Sequence, residues 1–231
     1  MGYINSRRLE NWLGLLGVAS FIFNLLIVSC ISPRAYPGYD WLRQAISDLF
    51  AQNAPSRELY TRLTSISSIG SIVCVTLACL YVRNRLNRPL RVGIYLFAVL
   101  SWVNTMGYSL FPLTESGYAG TIQDFIHTFV VTAAVVILSI SSLVVIMVGG
   151  YRHRKYRSIA VFATISLCCM MVGSIGLGVV PKAYFGVMER LSVFSGSGFV
   201  VVLGCYVFVG FDLIERKHET VSANGLLPDG A

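Results

Sequence analysis

Residues 122–149 read IQDFIHTFVVTAAVVILSISSLVVIMVG, and this stretch decides the class of fold. No Asp, Glu, Lys or Arg occurs between Asp124 and Arg152, and a helix needs only about 20 apolar residues to cross a bilayer. Five further apolar segments of spanning length follow the same pattern, at 12–31, 59–82, 90–111, 158–180 and 188–214. The pattern predicts an all-α membrane protein, a six-helix bundle forming one domain over residues 1–216.

Composition agrees with this class. Hydrophobic residues make up 55% of the chain and charged residues 13%, whereas soluble domains average about 25% charged residues. The polar segment 217–231, with its Gly and Pro, is predicted to be a disordered tail.

The placement of Lys and Arg predicts the orientation, because cytoplasmic loops of membrane proteins are enriched in both residues. With the N-terminus inside, the cytoplasmic segments collect twelve of the eighteen basic residues, and the outer segments hold six basic and six acidic residues. The whole net charge of +7 then lies on the inner side. We therefore predict a protein of the cytoplasmic membrane with both termini in the cytoplasm.

This charge distribution also argues against nucleic acid as a partner, because the basic loops NRLNRP and YRHRKYR are short topology anchors that favour anionic lipids. The six cysteines form no C-x-x-C motif and are predicted to be core residues of helices. Of the three histidines, only His127 lies on the outer side. We predict neither a metal site nor a cofactor.

The first outer loop, residues 32–57, is the longest connection and begins with Pro33 and Pro37. Apolar residues of YDWLRQAISDLFAQ recur at helical spacing after Asp40, a residue that often caps helices. We predict a short interfacial helix here. It acts as a lid over the bundle, or it is an anchored loop that packs against helix ends.

Polar residues concentrate in the outer halves of the predicted helices, and the inner halves are mostly aliphatic. Asn24, Asn104 and Tyr108 lie in outer halves, and Asp124 and His127 open the fourth helix. This asymmetry predicts a bundle closed toward the cytoplasm with a polar pocket facing outward, where Asn104 and Tyr108 contact a substrate.

Asp124 and His127 are three residues apart, so they share one helix face. A carboxylate there can fix the imidazole tautomer and raise its basicity, as a general base requires. Alternatively, Asp124 is an ordinary helix cap and His127 bonds to a neighbouring helix.

Two more pairs are candidate site residues. Arg190 offers a bidentate fork for a phosphate or carboxylate head group, with Glu189 beside it. A structural salt bridge between helices is the alternative for this pair. In the first outer loop, Ser47 is a candidate nucleophile and Asp48 a candidate acidic partner.

Three short motifs, ISDLFAQNAP, DFIHT and GVMERLSVFSG, resemble the bacterial membrane family called domain of unknown function 998. The resemblance runs from the first to the sixth helix and implies a six-helix bundle without an established activity. It points to Ser47, Asp48, His127, Glu189 and Arg190. A looser likeness to the alkaline-ceramidase superfamily implies a zinc hydrolase, but the H-x-x-x-H of a late helix is missing here.

Three functions remain open. The first is binding or handling of a lipid or other amphiphile at the outer leaflet, with Arg190 at its head group. The second is an intramembrane lipid hydrolase or transferase. In it His127, oriented by Asp124, is the general base, and Ser47 or a water molecule is the nucleophile. The third is a structural subunit that contacts a membrane-protein partner or a second copy of itself.

Overall fold

The computed structural model describes residues 9–211, and within them it contains helices, turns and loops but no strand. We number the long helices α1 to α7. They are α1 (Leu9–Leu26, continued by a π-helical segment Ile27–Ile31 and by Ser32–Arg34), α2 (Arg57–Val82), α3 (Arg88–Leu110), α4 (Ile122–Phe125, a π-helical segment Ile126–Val131, and Thr132–Tyr151), α5 (Arg157–Val179), α6 (Phe185–Ser197) and α7 (Phe199–Val209). Short 3₁₀ helices occupy Ser47–Phe50, Arg154–Tyr156 and Lys182–Tyr184.

These helices form six stretches long and apolar enough to cross a membrane, as expected of an integral membrane protein. The prediction of six spans is confirmed, and the sixth is formed by α6 and α7 together (Lys182–Val209). The predicted end of the sixth span, 212–214, and the predicted tail, 217–231, lie outside the described residues.

The helices form a ring in which each long helix packs against its neighbours in the chain, and α7 closes the ring against α1 and α2. Glycines allow the closest approaches. A Cβ built at Gly149 of α4 lies 2.4 Å from the Leu90 backbone nitrogen of α3, and a Cβ built at Gly14 of α1 lies 2.7 Å from the Gly204 oxygen of α7. Small residues at such crossings let backbones meet without steric conflict.

The sixth span changes partner at Gly198, between α6 and α7. On one side of this residue α6 packs chiefly against α5, and on the other side α7 packs against α1 and α2. A Cβ built at Gly198 lies 2.5 Å from the Phe194 oxygen. The close approach explains why a glycine stands at the junction. The two halves of the sixth span are therefore packed into different parts of the bundle.

The α6 half of the bundle ends in three loops, residues 35–56, 111–121 and 180–184, and we call this the cap end. The opposite end carries the loops 83–87 and 152–156 with their arginines, and we call it the basic end. Both π-helical segments, Ile27–Ile31 and Ile126–Val131, lie toward the cap end. Segments of this kind are rare and occur often at functional sites.

The interfacial helix predicted in the first outer loop is wrong in its extent. Residues 37–46 form turns, and only Ser47–Phe50 is helical, as one 3₁₀ turn. The reason is competition for the backbone. The Leu42 oxygen accepts from the Gly186 backbone nitrogen at 2.8 Å, and the Ala45 oxygen accepts from the Tyr39 hydroxyl at 2.7 Å. These tertiary partners replace the hydrogen bonds that an α-helix needs.

Candidate functional site

Residues 35–56 form a loop that covers the cap end, and we call it the cap. Arg190 of α6, only 7% exposed, is its main anchor. One guanidinium nitrogen, Nη1, donates to the Trp41 oxygen at 2.8 Å, the Gln44 oxygen at 3.1 Å and the Gly186 oxygen at 2.9 Å. The other, Nη2, donates to the Tyr39 hydroxyl at 2.6 Å. Arg190 therefore binds the cap with both ends of its fork.

Tyr39 extends this anchor. Burial raises the pKa of Tyr39 to about 12, although the neighbouring Arg190 guanidinium partly opposes the shift. The phenol therefore stays protonated at neutral pH. Its oxygen accepts from Arg190 while its proton goes to the Ala45 oxygen. The arginine, the tyrosine and the cap backbone form one continuous chain of hydrogen bonds.

Two carboxylates hold backbone N–H groups of the cap. Glu189 Oε2 of α6 accepts from the Ile46 nitrogen at 2.6 Å. Asp48, 6% exposed, accepts from the Ala45 nitrogen at 3.0 Å and from the Gly117 nitrogen in the 111–121 loop at 2.8 Å. The cap is thus tied to α6 on one side and to the loop between α3 and α4 on the other.

Asp124 is a helix cap. It is fully buried, it accepts from the Thr114 backbone nitrogen at 2.8 Å and from the Thr114 hydroxyl, and it forms a capping box with Thr121. Both of its oxygens are therefore engaged by the 111–121 loop. The predicted orientation of His127 by Asp124 is not what the geometry provides.

His127, 5% exposed, is instead oriented by α3. Its Nδ1 lies 2.6 Å from the Phe111 oxygen. A carbonyl only accepts, so Nδ1 carries the proton and Nε2 of a neutral ring keeps a lone pair. Among residues 9–211, no hydrogen bond joins His127 to Ser47, Asp48 or Arg190. The hydrolase hypothesis thus gains no nucleophile paired with its base, and it stays a prediction.

Aromatic rings surround His127. Phe50 of the cap stacks on Tyr60 of α2 with ring centroids 4.9 Å apart, and its ring lies 6.0 Å from that of His127. The Tyr108 ring of α3 lies 4.9 Å from His127, and its hydroxyl bonds to Thr132 at 3.0 Å. The cap thus inserts Phe50 between three helices, and we call this group of four rings the aromatic roof.

The packed core lies below this roof, toward the basic end. The Phe97 ring of α3, 1% exposed, contacts the Phe199 ring of α7 at 5.3 Å. A Cβ built at Gly17 of α1 lies 2.5 Å from the Cys74 sulfur and 3.3 Å from a Val200 methyl group. The interior is therefore filled at the level where α7 begins.

Two asparagines stand between this core and the roof. Asn104 follows Phe97 by seven residues and Asn24 follows Gly17 by seven, so both point to the bundle interior about 10 Å nearer the cap end. Asn104 is nevertheless exposed, and Asn24 is partly exposed. Within the described part of the chain, neither side chain has a hydrogen-bond partner. Two inward-facing amides therefore keep their hydrogen-bonding capacity unused.

A groove of about 350 Å³ lies on the lateral surface between α1, α5 and the junction of α6 and α7, and neither asparagine is among its lining residues. Phe21, one helical turn from Asn24, and Phe194 lie on its two sides, and their rings are 6.3 Å apart. Its other lining residues are mostly apolar and include Ile165, Ser166, Ser195 and Val202. The groove lies within membrane spans, so acyl chains surround it.

The structure brings most predicted site residues to one end of the molecule. Asp48, Glu189, Arg190, Asp124 and His127 all bind loop or helix-end backbone there. Ser47 lies in the 3₁₀ turn of the cap, and Asn104 faces the interior as described. Among residues 9–211, no group of three or more His, Cys, Asp or Glu side chains is arranged to hold a metal ion.

Sequence reasoning gave no role to Tyr39, Phe50 or Thr114. Their importance depends on loop geometry that leaves no sequence signal. Asn24 was recognisable only as a polar residue in the outer half of a helix, although its seven-residue spacing from Gly17 marks the inward face.

The fold and site define a six-span α-helical membrane protein with one end closed by a loop that buried side chains hold in place. The chain belongs to the family described as protein of unknown function (DUF998), whose model matches residues 13–206. No curated protein and no solved structure matches the chain.

Proposed function

We propose that this protein binds a membrane lipid or another amphiphile in the cap-end half of the bundle. The observation that carries the proposal is the exposure of Asn104 on the interior face of α3. An inward-facing side chain is exposed only where the helices around it leave space. We call this space, between the Phe97 level and the aromatic roof, the chamber.

The lateral groove supports an amphiphile over a water-soluble ligand. It begins one helical turn from Asn24 and is lined mainly by apolar side chains. A ligand with its polar end in the chamber and its chain in the groove satisfies both surfaces. An acyl chain passes from the bilayer into the groove without exposure to water, which costs about 0.8 kcal/mol per CH₂, so the groove suits a ligand that already resides in the bilayer.

Arg190 was expected to hold the ligand's head group, and the observed contacts favour another assignment. Its donors serve the cap, so in this proposal Arg190 keeps the chamber closed. We further propose that the cap end faces the outside of the cell, because the basic residues gather at the opposite end.

The proposal is tested by purifying the protein in mild detergent and identifying retained amphiphiles by native mass spectrometry. A Ser166→Trp variant places a large ring in the groove. The matched control is Val172→Trp on the same helix, because Val172 is 59% exposed and is not among the groove residues.

We expect wild type and Val172→Trp to retain the same amphiphile, and Ser166→Trp to retain several-fold less. Equal retention by both variants, or no retained amphiphile in the wild type, contradicts the proposal.

A further inference from the structure

The charged side chains of the cap end are already engaged with the protein itself. Arg190 donates to three carbonyls and a phenol. Asp48, Asp124 and Glu189 each accept backbone N–H groups. The other basic residues described at this end lie exposed on the surface: Arg34, Arg43, Arg57, Arg62 and Lys182. Within residues 9–211, no cation at the chamber is left to neutralise an anionic guest.

The groups with unused capacity are neutral. Each amide of Asn24 and Asn104 offers two N–H donors and one carbonyl acceptor, and neither is engaged within the described residues. A side chain that both donates and accepts suits a hydroxyl or an amide, which also does both, and it suits an ester, whose oxygens accept from the amide N–H groups.

We propose that the polar end of the bound amphiphile is uncharged, a hydroxyl, ester or amide group held by Asn24 and Asn104. This inference rests on the proposed amphiphile binding and names the class of its ligand. A phosphate in the chamber finds no free cation among the described residues, and burying such a charge unpaired is costly.

An ammonium head group is disfavoured for a related reason. Glu189 already accepts the Ile46 N–H at 2.6 Å and lies beside Arg190, so its negative charge is partly compensated. An ammonium group has three donors and no acceptor, and it leaves the N–H groups of both asparagines without a partner. An uncharged head group loses no ionic hydration on entering the chamber.

The test is a matched series of twelve-carbon amphiphiles that differ only in head group. Protein in nanodiscs is loaded with a monoacylglycerol labelled at its chain end with an environment-sensitive fluorophore. Unlabelled monolaurin, dodecyl phosphate and dodecylamine then compete for the site. We expect monolaurin to displace the probe at a concentration at least about tenfold lower than either charged amphiphile.

The variants locate the head group. We expect Asn104→Leu to weaken monolaurin binding about three- to tenfold, in line with the strength of a polar contact within a membrane protein. The same change at Asn84, exposed in the loop at the basic end, leaves binding unchanged. Asn24→Leu is the second chamber variant, so that a folding defect in one variant, detected by gel filtration, does not end the test.

The outcomes separate the two proposals. Displacement by dodecyl phosphate or dodecylamine at the same concentration as monolaurin, or a lower one, overturns the uncharged head group while amphiphile binding stands. Folded Asn104→Leu and Asn24→Leu variants that bind monolaurin like the wild type overturn the role of the asparagines. Failure of the labelled probe to bind, together with the absence of any retained amphiphile, removes the proposed function itself.

Discussion

Replacement of Arg190 by methionine is the most direct perturbation of the cap. Methionine keeps an unbranched apolar stem of similar length, so the change mainly removes the guanidinium. Four hydrogen bonds are lost, to Trp41, Gln44, Gly186 and Tyr39. The half-buried carboxylate of Glu189 also loses its neighbouring positive charge.

The magnitude follows from these contacts. A hydrogen bond to a charged group contributes about 1.5–3 kcal/mol, but the carbonyls of the cap regain water when the cap lifts. We therefore expect a total loss of about 3–5 kcal/mol, as for other broken buried charge networks. Since about 1.4 kcal/mol is a factor of ten, the open state of the cap becomes roughly a hundred to several thousand times more populated.

Limited proteolysis measures this population. The Arg43 side chain is 69% exposed, but cleavage after Arg43 requires the cap backbone to leave Arg190 and Gly186. Under conditions where opening is fast relative to cleavage, the cleavage rate follows the open population. Trypsin digestion of the protein in nanodiscs, followed by mass spectrometry of the cut after Arg43, provides the rate.

The matched control is Arg62→Met, which removes an arginine whose ion pair with Glu58 is exposed on both sides. Exposed pairs contribute little to stability, so its cleavage rate at Arg43 stays near that of the wild type. A rate for Arg190→Met within twofold of the wild type refutes the view that Arg190 holds the cap.

Three further predictions follow from the fold. Asp124→Asn weakens the contacts to Thr114 and lowers stability by about 1–3 kcal/mol, seen as a lower thermal midpoint in detergent; an unchanged midpoint contradicts the capping role. Gly149→Leu forces a side chain onto the α3 backbone and costs about 3 kcal/mol or more. Gly178→Ala, with nothing within 4 Å of the added carbon, does not lower the midpoint, because alanine is a better helix former than glycine. With the cap end outside, an impermeant maleimide added to intact cells labels Asn53→Cys above the wild-type background and does not label Asn84→Cys; the reverse labelling overturns the orientation.

The spans were predictable because each depends on composition over about 20 residues, a property that local contacts scarcely alter. The cap was less predictable. Residues 40–52 have helical periodicity, but Gly186 and Tyr39 take the hydrogen bonds that such a helix requires. Gly186 is well over one hundred residues away in the chain, and the contact of Tyr39 depends on the path of the loop itself. Neither contact produces a pattern in the sequence.

The site shows the same division. Clustering of polar residues at one end followed from helix direction and the alternation of the loops. The hydrogen-bond partners of these residues could not be predicted in this way. The carboxylate of Asp124 and the imidazole of His127 share a helix face, yet they bind Thr114 and Phe111. Asn104 was expected to contact a substrate, and this stays a prediction; the structure gives its exposure on the face predicted to point inward. The change of packing partner at Gly198 could not be predicted either, because other glycines in the helices serve only close packing and the sequence does not distinguish Gly198 from them.

The anchoring of the cap has a consequence for how this family can vary. At the cap end α6 packs chiefly against α5. Residues 41–50 connect α6 to the opposite side of the bundle. They bind α6 through Glu189 and Arg190, and they contact α4 and the 111–121 loop through Phe50 and Asp48. The length and bulk of that segment thus set the spacing between α6 and the α3–α4 pair. Insertions or deletions in it are expected to change that spacing while the half around α7 keeps its packing, and under the proposed function such changes in one loop alter the size of the ligand that fits.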